Sequence, residues 1–212
     1  MIYLQKVQLA FFIVLAIAQL PPAPETGTPD GQRTPGGTRP ELARSCKQTP
    51  QPLTALVPEN GKGLTTSEYP IFWFYIPYTA KDIHSIEFSL HNQEETATLY
   101  RTSVQLINTP SAIAIPLPSS PEYSLKLNQT YHWYLIVNCQ SQNFENDIVL
   151  DGWVTRVQYS PNQVFWYDEL TNRAKRYLLE PQNPEVKKAW MKLLASVGLD
   201  EIAKAPLKSF EF

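Results

Sequence analysis

Residues 127–139 read LNQTYHWYLIVNC, and no other stretch restricts the fold as tightly. Side chains along a strand alternate between its two faces. Tyr131, Trp133, Leu135, Val137 and Cys139 fall on one face; His132, Tyr134, Ile136 and Asn138 fall on the other. Both faces are largely buriable, which is the pattern of a central strand with neighbours on both sides.

Similar patterns recur along the chain. Residues 53–57 make a short apolar run closed by Pro58, and Gly61 with Gly63 reads as a turn. In YPIFWFYIPY at 69–78, Phe72, Phe74 and Ile76 oppose Ile71, Trp73 and Tyr75, and Pro70 and Pro77 bracket the run. Residues 84–90 alternate His84, Ile86, Phe88 and Leu90 against Ser85, Glu87 and Ser89, with 96–106 as the expected hairpin partner. Residues 111–117 and 148–158 complete the set, and Gly152 inside the last run suggests a bulge. Leu127 precedes Tyr131 by the spacing of a tyrosine corner. Short strands with turn chemistry between them, in a chain with 12% aromatic residues, predict a mainly β fold. The expected form is an immunoglobulin/fibronectin-III-like antiparallel β-sandwich followed by a C-terminal pair of α-helices.

The helices announce themselves after Pro161, where the apolar period changes to that of a helix. Tyr167, Leu170, Ala174, Tyr177 and Leu178 share one face, and Pro181 stops that helix. Asn183 is a good N-cap with Pro184 at the first position, Val186 to Val197 carry a second stripe, and Gly198 stands where a C-terminal cap belongs. The short connection predicts an antiparallel pair.

The N-terminal end reads differently. Lys6, the apolar run 7–15 and Ala16-Ile17-Ala18 have the layout of a signal peptide over residues 1–18. The alternative is an uncleaved anchor, although the run is short for a membrane span. Residues 19–45 hold six of the nineteen prolines and read as a disordered Pro/Gly-rich linker. The β-sandwich is expected over 46–159 and the helical hairpin over 160–207. An exported chain can form disulfides, and Cys46 and Cys139 are the only pair; two buried free thiols are the alternative.

Chemistry is sparse. A formal net charge of −2 supplies no field for nucleic acid or an anionic membrane. No Cys/His cluster has metal-site spacing, and nothing implies a cofactor. His84, His91 and His132 read as structural or turn residues, and no serine sits in a nucleophile elbow. Two groups remain as candidate binding residues. Asp151 and Asp168, with Glu169, are carboxylates near aromatics, the kind of set glycoside chemistry uses. Asp168 and Glu169 also suit a first helical turn, where the helix dipole favours acids. Trp153, Trp166 and Tyr167, with Tyr159, cluster around the sandwich–helix junction, either as stacking platforms or as core.

Several stretches together resemble a known family. LTALVPE at 53–59, YPIFWFYIPY at 69–78, YHWYLIVNC at 131–139, DGWVTRV at 151–157, FWYDEL at 165–170 and AWMKLLASVGL at 189–199 resemble, in order, the exported cyanobacterial family called domain of unknown function 928. The resemblance implies a bacterial source and a periplasmic or extracellular setting, and it brings no defined activity or functional residues. The expected function is a non-catalytic binding or assembly module of the cell envelope, partnered by an envelope protein or polysaccharide, with no membrane contact once the leader is removed. The alternative is an envelope glycan hydrolase using Asp151 with Asp168 or Glu169.

Overall fold

The computed structural model describes residues 28–35, 46–106, 109–140 and 147–208; the expected signal peptide and most of the expected linker lie outside these. Among the described residues eight strands form two sheets. β1 (Thr54–Ala55), β3 (Ile71–Ile76) and β6 (Ser111–Pro116) make a small sheet in the order β1-β3-β6. β2 (Lys62–Thr65), β8 (Ile148–Arg156), β7 (Thr130–Asn138), β4 (Ser85–Asn92) and β5 (Thr98–Ser103) make a larger one in that order. α1 (Trp166–Leu179) and α2 (Pro184–Ala195) follow.

β7 is central, flanked by β4 and β8. Its Trp133, Leu135 and Val137 are fully buried between the sheets. Phe72 and Phe74 of β3 face them: Phe74 meets the Trp133 ring at 5.4 Å, and Phe72 meets Phe88 of β4 at 4.8 Å. On the far side of the small sheet Trp73 donates from Nε1 to Thr171 of α1, so helix covers that face. Asn183 caps α2 by accepting from the N–H groups of Glu185 and Val186, and Gly198 takes φ 73° just beyond the helix. Cys46 and Cys139 are joined in a disulfide with Cα atoms 5.2 Å apart.

Three expectations are corrected. The larger sheet is not wholly antiparallel, because β2 runs parallel to β8 with Lys62 opposite Trp153. β2 lies where a turn was expected; its inward position is Gly63, which carries no apolar signal. An added Cβ at Gly63 would stand 2.7 Å from the Tyr167 ring, so the glycine makes room for α1. Nor is Gly152 a bulge. It stays in register opposite Trp133, and an added Cβ would lie 2.3 Å from the indole. The irregularity in the sheet falls instead between Leu90 and His91 of β4.

The third correction concerns residues 28–35, read from composition as part of a linker. They pack as a strap against the domain. Gly31 donates to the carbonyl of Asn60, the Gln32 carbonyl accepts from Asp151 N–H, and the Arg33 carbonyl accepts from Ala55 N–H. The Arg33 guanidinium donates to the carbonyls of Val57 and Val197, linking β1 to the end of α2. Lys62 is buried under the strap, bonded to the Thr28 carbonyl and paired with Asp30 at 3.1 Å. Composition missed this because backbone groups and Arg33, not apolar side chains, make the attachment.

Candidate functional site

α1 begins without a side-chain cap and is pinned by its own first residues. Trp166 donates from Nε1 to the Leu56 carbonyl at 2.9 Å. The Tyr167 hydroxyl accepts from Trp133 Nε1 at 2.8 Å and donates to the Trp153 carbonyl at 3.2 Å. Burial pushes the Tyr167 phenol up. Asp168 accepts from the Thr66 N–H and from the hydroxyls of Thr65 and Thr66 at 2.5–2.8 Å, tying α1 to β2. Trp153, Trp166 and Tyr167 are 4%, 6% and 1% exposed; Trp166 and Tyr167 cement the junction, whereas the Trp153 ring is buried on the outer face of the large sheet against His132.

What this framework leaves open is a groove of about 630 Å³ between residues 66–71 and the segment from Tyr159 into α1. Pro70, Ile71 and Phe165 form a buried floor. Tyr159 is 70% exposed at the mouth, its ring 5.9 Å from Phe165. Gln163, Asn172, Lys175 and Glu169 supply a polar rim, and Glu169 pairs with Arg173 at 2.7 Å. Of the residues singled out from sequence, Tyr159, Tyr167, Asp168 and Glu169 line this groove. Tyr69, Gln163, Asn172 and Lys175 were missed. A signal was present for two of them: Asp168, Asn172 and Lys175 follow the i, i+4, i+7 spacing of one helix face.

Asp151 belongs elsewhere. It is in phase with Trp153 on the outer face of the large sheet, whereas Thr65, which holds Asp168, is in phase with inward-facing Gly63 and Val154. The two carboxylates therefore lie on opposite faces. Asp151 accepts from Gln32 N–H and contacts His132 Nε2 at 2.9 Å. His132 Nδ1 meets Glu95 at 2.5 Å, and the Tyr134 hydroxyl donates to the same Glu95 oxygen at 2.9 Å. Beneath lies Trp153, stacked on the imidazole at 3.7 Å.

The hydrogen bonds from His132 and Tyr134 hold the Glu95 carboxyl below the usual range, and burial with Glu95 nearby pushes the Tyr134 phenol up. His91 bonds Ser89 and Thr98 on the same face; burial, then Arg101, lowers its imidazole. Both nitrogens of His132 are occupied by carboxylates, so neither is placed to take a substrate proton or a metal. Glu95 comes from the β4–β5 turn at φ 55°, and Asp151 holds the strap. His132 thus joins the hairpin tip to the strap across the sheet. His84, in phase with the core by sequence, precedes β4 and is exposed. Among the described residues no group of three or more His, Cys, Asp or Glu could hold a metal ion, and no helix is long and apolar enough to cross a membrane.

Two sheets, a C-terminal helical pair and a groove at their junction define a mainly β domain. The chain belongs to the family described as Domain of Unknown Function (DUF928), whose profile matches residues 34–207. No curated protein and no solved structure matches it.

Proposed function

We propose that the chain is an exported, non-catalytic binding or assembly module of the bacterial cell envelope, with its partner seated in the groove at the sheet–helix junction. The observation that carries this reading is the groove itself, with Tyr159 exposed at its mouth beside a polar rim. Such a ring in an open groove is what interfaces use as an anchor. A glycan hydrolase would need a convergent pair of carboxylates. Asp151 is on the opposite face, Asp168 is saturated by Thr65 and Thr66, and Glu169 is paired with Arg173, which favours binding over hydrolysis.

We read the sandwich as immunoglobulin/fibronectin-III-like. Supporting this are the strand orders β1-β3-β6 and β8-β7-β4-β5, and the Tyr131 hydroxyl, which accepts from the Lys126 N–H at 2.9 Å as a tyrosine corner does. The signal-peptide layout of residues 1–18 supports export, and the resemblance described above supports a cyanobacterial source.

The test is a photo-reactive phenylalanine analogue at position 159 of the full chain in its native bacterium, with position 179 as control; Leu179 is 83% exposed at the far end of α1. Crosslinks to an envelope component from 159 and not from 179, with the chain outside the cytoplasm, are expected. Equal labelling from both positions, or a chain retained in the cytoplasm, refutes the proposal.

A further inference from the structure

We infer that the groove takes an uncharged glycan, a run of pyranose rings with one ring stacked on Tyr159. This rests on the groove being the partner site and goes further by naming the ligand's chemistry.

Three observations carry it. First, the surface a ligand can reach is more polar than the groove's floor suggests. Pro70, Ile71 and Phe165 are themselves buried, so the accessible part is Tyr159, Val164, the half-buried Tyr69 and the polar rim. An apolar peptide side chain would find no deep apolar pocket, whereas the flat C–H face of a sugar needs only the face of an aromatic ring. Tyr159 offers that, at 70% exposure and held from behind by Phe165.

Second, the charged groups of the groove are already engaged within the protein. The Asp168 carboxylate accepts three hydrogen bonds from Thr65 and Thr66, Glu169 is paired with Arg173, and Lys175 also has a partner. Recognition of phosphate or of a strongly charged peptide relies on several converging charges. In this groove the Asp168 oxygens are taken up by neutral donors, Glu169 is paired with Arg173, and no set of like charges converges.

Third, the side-chain amides of Gln163 and Asn172 make no hydrogen bond within the described residues and stand on opposite sides of the α1 start. An amide carries both donors and an acceptor on one plane. Adjacent sugar hydroxyls present the matching pair, because each hydroxyl both donates and accepts. The combination of an exposed ring, free amides and charged groups already engaged within the protein fits a polyol with an apolar face better than any charged ligand.

The test uses the isotopically labelled exported protein in NMR titrations. The neutral probes are cellotetraose, chitotetraose and xylotetraose; polygalacturonate and inorganic phosphate are the charged ones. The expected result is that a neutral oligosaccharide shifts the Gln163 and Asn172 side-chain amides. Tyr159→Ala should weaken that binding by roughly tenfold, Tyr159→Phe should retain most of it, and Leu179→Ala should leave it unchanged. Charged probes acting as well as the neutral ones would overturn the inference, as would binding insensitive to Tyr159→Ala, or the absence of any shift. A protein crosslinked from position 159 without any glycan response overturns the glycan assignment and leaves the groove as partner site. Silence in both experiments removes both.

Discussion

Tyr167→Phe separates a buttress from a ligand contact. Tyr167 lines the groove, yet it is 1% exposed, and its hydroxyl serves Trp133 and the Trp153 carbonyl inside the protein. The substitution removes one oxygen and keeps the ring that meets Phe72 at 5.5 Å. It leaves the Trp133 N–H, on a residue at 0% exposure, without its acceptor. An orphaned buried donor costs about 1–3 kcal/mol. The Trp153 carbonyl loses less, since a carbonyl has a second lone pair. The apolar Phe recovers part of the loss, leaving a net cost of about 1.5–3 kcal/mol. At about 2–4 °C per kcal/mol for a domain of this size, Tm should fall by roughly 3–12 °C. Urea unfolding followed by tryptophan fluorescence reads the same loss as a lower midpoint with an unchanged slope. Binding at the groove should persist below the transition. A stability loss under about 0.5 kcal/mol together with lost binding would refute the argument, because the hydroxyl would then be facing a ligand.

Other perturbations probe separate parts of the structure. Replacing Cys46 and Cys139 together by Ser opens a link spanning 93 residues; the loss should be about 4–5 kcal/mol in the chain-entropy view, checked by denaturation against the oxidised parent. Gly31→Ala puts a Cβ 2.6 Å from the Asp151 carbonyl and 2.7 Å from Gly152 Cα, backbone on both counts. It should cost about 1–3 kcal/mol and speed tryptic cleavage after Arg33; unchanged cleavage would mean the strap does not hold. Glu95, held below the ordinary carboxylate range, binds fewer protons folded than unfolded. Its contribution is therefore complete above about pH 4.5 and fades as pH falls through the lowered value. Glu95→Gln should flatten the acid limb of a stability–pH profile, and an identical limb in both proteins would contradict the His132 network.

Elements driven by side-chain periodicity were readable in advance. The central strand, the two faces of residues 69–78 and the whole of α2 with its Asn183 cap and Gly198 terminus follow from patterns that local geometry imposes. Elements that depend on an empty space were not. Gly63 and Gly152 look like breaks in a pattern, and each proves to be the room left for a large ring, Tyr167 over one and Trp133 over the other. The strap was illegible for a related reason: main-chain groups and Arg33 hold it.

By itself the sequence determined that the stretch 127–139 holds the central strand, Thr130–Asn138 in the structure, because alternation allowed both of its faces to be covered. It also placed the aromatic cluster near the sandwich–helix junction. Only the tertiary structure decided what that cluster does. Trp166 and Tyr167 turned inward to meet the Leu56 carbonyl and Trp133, and Trp153 was buried on the outer face of the large sheet beneath His132, while Tyr159 stayed out. It likewise put Asp151 and Asp168 on opposite faces of one sheet, since a parallel β2 brings Thr65 to the inner side and strand alternation leaves Asp151 on the outer one. Burial and convergence depend on which strands become neighbours, and pairings between segments far apart in the chain leave little trace in local sequence.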